Sequence, residues 1–249
     1  MNNLNFKETI SLAVTIYKRG FKIAFVLAFM LSFISEFCLV YLMRHGMSEY
    51  IESGGQTIPD TFPGGNILAL MILIIMVATI FVYAMIIILQ GIMIKHEMRA
   101  SDAIRVALQI FSKRVFPFIG CFLLSMVVMS VLTMFLQYIG IFITILLFLT
   151  VMPAILLDQK GIFESVSNNF RIIKNNFFYT FRIAIAILAL MLIKPLITFG
   201  LIYILKNMNM EMNSLEMSMQ NIIVTVIDAL ILPFIFAISV GAFFSTNKK

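Results

Sequence analysis

Long runs of apolar residues recur along this chain, separated by short segments in which the charged residues gather. Six runs have about twenty residues or more, the length an α-helix needs to cross the ~30 Å hydrocarbon core of a membrane. They cover residues 21–43, 66–94, 115–136, 139–157, 177–205 and 221–244. The pattern predicts an all-α polytopic membrane protein whose 249 residues form a single integral membrane domain with six transmembrane helices.

A second pattern precedes three of these runs. An acidic residue (Glu8, Asp102 or Glu164) is followed by apolar residues two, six and eight or nine positions on, and then by basic residues. This spacing puts the apolar residues on one helical face, which predicts amphipathic helices lying in the headgroup plane. We therefore expect three repeats of an amphipathic interfacial helix plus a transmembrane hairpin. Ordinary linkers with a chance periodicity are the alternative. The repeats would cover about residues 4–94, 98–157 and 160–244.

The basic residues predict the orientation of the chain. Fifteen of the 18 Lys and Arg residues fall on one side of the six spans, and the positive-inside rule makes that side cytoplasmic, together with both termini. A net charge of +6 beside membrane spans indicates anionic lipid headgroups as partners, and no nucleic acid. A membrane-protein partner is also compatible with this pattern. The expected headgroup contacts are Lys18, Arg19, Lys113, Arg114, Arg171 and Lys174.

Composition argues against a soluble protein and against an enzyme. The chain is 61% hydrophobic, with a mean hydropathy of +1.04. No metalloprotease, nucleophile-elbow or phosphate-loop motif occurs, and the two histidines, His45 and His96, fall on opposite sides of the predicted membrane. Cys38 and Cys121 lie at different predicted depths, too far apart for a disulfide. We therefore expect no enzymatic activity, no metal site and no cofactor.

Three ionisable residues lie inside predicted spans: Glu36, Lys194 and Asp228. Such residues are costly in hydrocarbon and usually face a partner or a wet cavity. Counting 1.5 Å per residue places all three in the outer third of the bilayer, where a polar cluster is geometrically possible. The alternatives are a neutralising ion pair, or long side chains that reach the outer interface.

The fourth apolar run and the segment after it carry a recognisable motif. A proline ends the span at Pro153, a Lys-Gly-Ile-Phe step runs from Lys160 to Phe163, and Arg171 and Asn175-Asn176 follow. This stretch resembles the YciC family of uncharacterised bacterial inner-membrane proteins. It is more loosely similar to the membrane domains of bacterial glycerophosphodiester phosphodiesterases, whose catalytic domain has no counterpart here. The resemblance implies a bacterial inner-membrane location and no established activity.

These observations lead to one expected function and one alternative. The expected function is that of a non-enzymatic integral inner-membrane protein that acts through lipid or protein partners in envelope maintenance. The alternative is a small transporter or lipid-handling protein that uses the polar cluster in the outer third of the bilayer.

Overall fold

The computed structural model describes residues 4–47, 49–50, 53–54, 62–95, 98–207 and 214–247. It gives the backbone alone at 194, 198, 201–202, 204–207 and 214–220. The described chain folds into helices. Their bounds are α1 (Phe6–Leu42), α2 (Gly65–Lys95), α3 (Ala100–Leu136), α4 (Tyr138–Phe148), α5 (Val151–Leu157), α6 (Ile162–Asn175), α7 (Phe177–Asn207) and α8 (Ser214–Thr246), with a π-helical turn at Met43–Met47 after α1.

Six stretches of the described helices are long and apolar enough to cross a membrane, as the sequence predicts. They lie in α1, α2, α3, the α4–α5 pair, α7 and α8. Large apolar side chains point outward from these helices; Val127 in α3, for example, is 60% exposed. The fold is therefore that of an all-helical, multi-pass membrane protein with apolar surfaces that suit contact with hydrocarbon.

The charged ends of the helices meet at one end of the bundle. Thr9 Oγ1 of α1 lies 3.0 Å from Ser245 Oγ of α8, and Lys95 Nζ of α2 lies 5.2 Å from the ring centre of Phe244. We call this the basic end. It comprises the start of α1, the α2–α3 and α5–α6 links, the start of α7 and the end of α8.

The predicted interfacial helices differ among the three segments. The first two continue without a break into the spans, as single 37-residue helices, α1 and α3. Only the third is a separate helix, α6, because Asn176 leaves the helical conformation (φ −141°, ψ 47°) before α7 begins. The arrangement of three equivalent repeats is not confirmed.

The three segments share buried positions that are not among the predicted apolar positions. The residues one and five positions after each acid are at most 1% exposed, and most are small. By contrast, the predicted apolar positions Leu108 and Phe170 are 44% and 52% exposed. Because lipid tails are as apolar as a protein core, a large apolar side chain can face outward, as Leu108 and Phe170 do, or inward, as Ile16 does at 1% exposure. The buried residues are Thr9, Ala13, Ala103, Ala107, Ser165 and Asn169.

Helices α1 and α8 pack closely along these small residues. Ala24 and Ala28 of α1 and Ala237 of α8 are buried. A Cβ atom on Gly241 of α8 would lie only 3.2 Å from the carbonyl oxygen of Thr9. Small residues therefore set the distance between the first and last helices, a common feature of membrane helix pairs.

Candidate functional site

The fourth span is interrupted where α4 ends and α5 begins. Leu149 and Thr150 lie between the two helices, and both are buried. Pro153 has no N–H to donate to the Leu149 carbonyl four residues earlier. The hydroxyl of Ser239, on α8, donates to that carbonyl instead. The interruption therefore coincides with a proline, and a neighbouring helix supplies the missing hydrogen bond.

Asn169 of α6 makes the remaining polar contacts of this interruption. Its Nδ2 donates to the carbonyl oxygens of Leu146 (3.0 Å) and Leu147 (2.7 Å) at the end of α4. Its Oδ1 accepts from the Thr150 hydroxyl (2.8 Å) and backbone N–H (3.3 Å) at the start of α5. The fully buried amide thus uses both its donors and its acceptor, as burial in an apolar surrounding requires.

These contacts fix α6 against the bundle and present its opposite side at the basic end. Arg171 comes two residues after Asn169, which at about 100° per residue turns it to the far side of the helix. Its Nη2 donates to Asn168 Oδ1 at 2.7 Å, and the side chain is exposed. The buried amide therefore determines where this guanidinium lies.

A cleft of about 690 Å³ opens beside Arg171 at the basic end. Three cations, Lys95, Lys160 and Arg171, and one carboxylate, Asp158, line it. Its other walls come from the end of α8 and the ends of α1 and α2. The remaining lining residues are Leu12, Ile94, Phe243, Phe244, Thr246 and Asn247.

The charged groups of this cleft are held by contacts among themselves and with the wall. Lys160 Nζ lies 3.7 Å from Asp158 Oδ2, which also accepts from Asn247 Nδ2 at 3.2 Å. Lys95 Nζ lies over the Phe244 ring at 5.2 Å, a cation–π contact. The cleft places positive charge beside an apolar wall. This combination suits a ligand in which an anionic group is attached to an apolar part.

The six predicted headgroup contacts are distributed over the basic end. Lys18, Arg19, Lys113 and Lys174 are exposed, whereas Arg114 is partly buried. Arg114 Nη2 donates to Gln159 Oε1 at 3.1 Å, which ties α3 to the α5–α6 link. Of the six, Arg171 alone lines the cleft.

Sequence reasoning did not single out Lys95, Lys160 or Asn169 as site residues. In the sequence, Lys95 contributes only to the charge asymmetry and Lys160 to that asymmetry and to the motif, because their convergence depends on tertiary packing. Asn169 could have been identified from the sequence. It lies three residues after Val166 and four before Ile173, on the apolar side of an amphipathic helix. A polar residue at such a position indicates a buried hydrogen-bonding role.

The predicted intramembrane cluster is not brought together as a whole. Contacts between Thr9 and Ser245 and between Tyr17 and Phe234 set an antiparallel register of α1 and α8. This register places Asp228 beside about residue 24 of α1, roughly twelve residues or about 18 Å from the level of Glu36. Both carboxylates are partly exposed.

Lys194 and Asp228 have similar depths along the backbone. Tyr179 and Ser245 both contact Thr9, so the start of α7 and the end of α8 lie at the same level of the basic end. Lys194 lies 15 residues from Tyr179 and Asp228 lies 17 from Ser245, a difference in depth of about 3 Å. The Lys194 side chain lies outside the described part of the chain, so the pair stays a prediction.

No family model, curated protein or solved structure matches this chain. The likeness to the YciC family therefore stays a prediction that rests on the motif itself.

Proposed function

We propose that this chain is a multi-pass protein of a bacterial inner membrane, with both termini in the cytoplasm. It acts without enzymatic chemistry, by binding anionic phospholipids and protein partners in envelope maintenance. The basic end then faces the cytoplasmic leaflet, where anionic headgroups concentrate. Membership of the YciC family, suggested by the motif from Pro153 to Asn176, is part of the same proposal.

One observation carries this proposal. The structure gathers basic side chains from α1, α3, α6 and their links at a single end of an otherwise apolar bundle. Each cation near an anionic surface contributes about 1 kcal/mol of attraction. Several exposed cations on one face therefore give a preference for anionic over zwitterionic lipid without any dedicated pocket.

The test measures which lipids the purified full chain retains. Protein reconstituted in nanodiscs of equal parts phosphatidylglycerol and phosphatidylcholine is released and analysed by native mass spectrometry. We expect enrichment of phosphatidylglycerol among retained lipids, reduced by neutralising Lys18, Arg19, Lys113 and Lys174 to Gln. Equal retention of both lipids by the unaltered protein would contradict the proposal.

A small transporter is a second candidate, favoured by the matching depths of Lys194 and Asp228. In this alternative the two groups form a polar site inside the membrane, since ionisable residues within spans commonly line substrate paths. Proteoliposomes should then show solute or proton flux that Asp228→Asn abolishes. Flux that is indistinguishable from protein-free liposomes would exclude this candidate for the solutes tested.

A further inference from the structure

The cleft at the basic end has the features of a specific site, beyond a generally basic surface. We propose that it binds a phosphomonoester, with the dianionic phosphate among Lys95, Lys160 and Arg171 and the attached glycerol or acyl part on the apolar wall around Phe244. This inference rests on the proposed function and names the ligand class for one part of its surface.

Charge favours a doubly negative group. Three cations and Asp158 give the cleft a formal charge of +2. Asp158 Oδ2 lies 3.7 Å from Lys160 Nζ and accepts a hydrogen bond from Asn247 Nδ2 at 3.2 Å. These contacts partly offset its negative charge before a ligand binds. A phosphomonoester carries a charge of nearly −2 at neutral pH, which matches this balance.

A neighbouring pocket tests the same reasoning by contrast. It has a volume of about 260 Å³ and shares Lys160 and Arg171 with the cleft, but adds Glu164, Ser167 and Asn168. Among the described residues that line it, none is apolar. Its two cations and Glu164 give a formal charge of +1, one less than that of the cleft, because Lys95 does not line it. The larger cleft is therefore the better anion site of the two.

The donors suit phosphate in their chemistry. Arg171 offers a planar guanidinium fork that can bind two phosphate oxygens, and the contact of one nitrogen with Asn168 (2.7 Å) orients that fork. Lys95 adds an ammonium group from the end of α2, and Lys160 adds one from the α5–α6 link. Donors from separate segments converge on one space, which distinguishes a pocket from a stripe of surface charge.

The apolar wall favours a lipid over an inorganic ion. The accessible apolar surface comes from Phe244, Ile94 and Leu12, which are partly exposed, whereas Phe243 behind them is only 1% exposed. A volume of about 690 Å³ falls within the roughly 300–1,000 Å³ typical of pockets for small molecules, far more than phosphate alone requires. The wall gives the glycerol and first acyl carbons an apolar surface to cover.

A simpler role for the cations would be to neutralise helix ends, because α2, α5 and α8 all finish near the cleft. The contacts argue against it. Within the described chain, Lys95 contacts a ring, Lys160 a carboxylate and Arg171 a side-chain amide. Among the described residues, none of these contacts joins a cation to a terminal carbonyl, so the three charges stay available to a ligand in the cleft.

The experiment titrates the full-length protein in a nonionic detergent by calorimetry with soluble probes. Dioctanoyl phosphatidic acid is the lipid phosphomonoester, glycerol 3-phosphate the water-soluble one, and dioctanoyl phosphatidylcholine the zwitterionic control. We expect one saturable site for phosphatidic acid, binding at least tenfold more tightly than glycerol 3-phosphate and with no detectable phosphatidylcholine binding. Affinities of the two phosphomonoesters within a factor of two would move the assignment from lipid to soluble phosphate.

Variants separate the cleft from the surrounding charge. Lys95→Gln with Arg171→Gln should weaken phosphatidic acid binding at least tenfold, and Arg171→Lys should lose less because it keeps the charge. The matched control, Lys7→Gln with Arg99→Gln, removes one exposed lysine and one exposed arginine of the same end that do not line the cleft, and should change affinity less than threefold. Unchanged unfolding temperatures exclude misfolding as the cause.

Two failures are distinguishable. If cleft and control variants weaken binding equally, the specific site is wrong while a general preference for anionic lipid stands. If the unaltered protein shows no preference for anionic over zwitterionic lipid in any assay, the proposed function fails as well.

Discussion

The three amphipathic segments bury the same face against the bundle, but the third makes different contacts there from the first two. Five positions after the acid, α1 has Ala13 and α3 has Ala107, whereas α6 has Asn169, and all three are fully buried. The alanines let helices approach closely. The asparagine instead binds the interrupted fourth span through four hydrogen bonds.

The difference between alanine and asparagine at this position explains why only the third segment is a separate helix, and why that helix lies beside the cleft. In α1 and α3, close packing of a continuous helix is sufficient to hold the segment. In α6, the hydrogen bonds of Asn169 add to the packing of Ile162 and Val166 against the core, and the chain turns at Asn176 into α7. Arg171 then lies where it can complete the cleft. A structural amide therefore positions a candidate binding residue.

The largest expected effect comes from Asn169→Leu. The change leaves the Thr150 N–H and its hydroxyl without their acceptor in a buried surrounding, where each unpaired group costs about 1–3 kcal/mol. We expect a loss of about 3 kcal/mol or more in the free energy of unfolding, measured by denaturant titration in micelles. Asn168→Leu, next to it and partly exposed, is the control and should cost under about 1 kcal/mol. Equal stability of the two variants would contradict the role given to Asn169.

Ala13→Leu tests the close-packing side of the comparison. Ala13 is fully buried, and its Cβ lies 3.5 Å from where a Cβ of Gly241 would be, so three further carbons have no space. We expect a destabilisation of about 2 kcal/mol from overpacking, read as a lower thermal midpoint in micelles. Val14→Leu on the adjacent, partly exposed position should have little effect. An unchanged midpoint for Ala13→Leu would show that α1 and α8 do not pack as described.

Ser239→Ala should cost about 1 kcal/mol, because the Leu149 carbonyl loses its donor. The penalty should shrink when Pro153→Ala is also present, since an alanine supplies the backbone N–H that proline lacks. A double-mutant cycle of unfolding free energies measures this coupling. Strictly additive effects would mean that the serine does not substitute for the missing helical hydrogen bond.

Leu108→Ala should have the smallest effect, under about 0.5 kcal/mol. Its side chain is 44% exposed on the apolar face of α3, and lipid or detergent replaces the contacts it loses. The buried neighbour Ala107 provides the contrast, because Ala107→Leu should destabilise as Ala13→Leu does. A cost for Leu108→Ala as large as that of a core truncation would place this face inside the bundle.

Much of the fold followed from local pattern. Apolar runs such as 66–94 predicted the six spans because length and composition alone decide whether a helix can cross hydrocarbon. The inward face of the amphipathic segments followed only in part, because Ile16 of the predicted apolar set is buried whereas Leu108 and Phe170 are exposed. In a bilayer Leu108 gains nothing from burial, whereas Ala107 allows close approach.

The site was predictable only in part. Arg171 was identified by its position near a span, which charge patterning along the chain reveals. Lys95, at the end of α2, and Lys160, in the α5–α6 link, are 65 residues apart, so their convergence depends on how α2, α5 and α8 pack. The register of α1 and α8 likewise separates Glu36 from Asp228, and counting depth from span ends could not give that register.

The most direct measurement is photo-crosslinking of the full protein in its own membrane, with benzoylphenylalanine at position 244 in the cleft wall. Position 178, an exposed phenylalanine near the same end, is the reference. We expect lipid adducts at position 244 to be enriched in anionic, phosphate-bearing headgroups relative to position 178, with the enrichment lost in Lys95→Gln with Arg171→Gln. Adducts with the same lipid composition at both positions would contradict the central claim that the cleft selects anionic lipid beyond the surrounding basic surface.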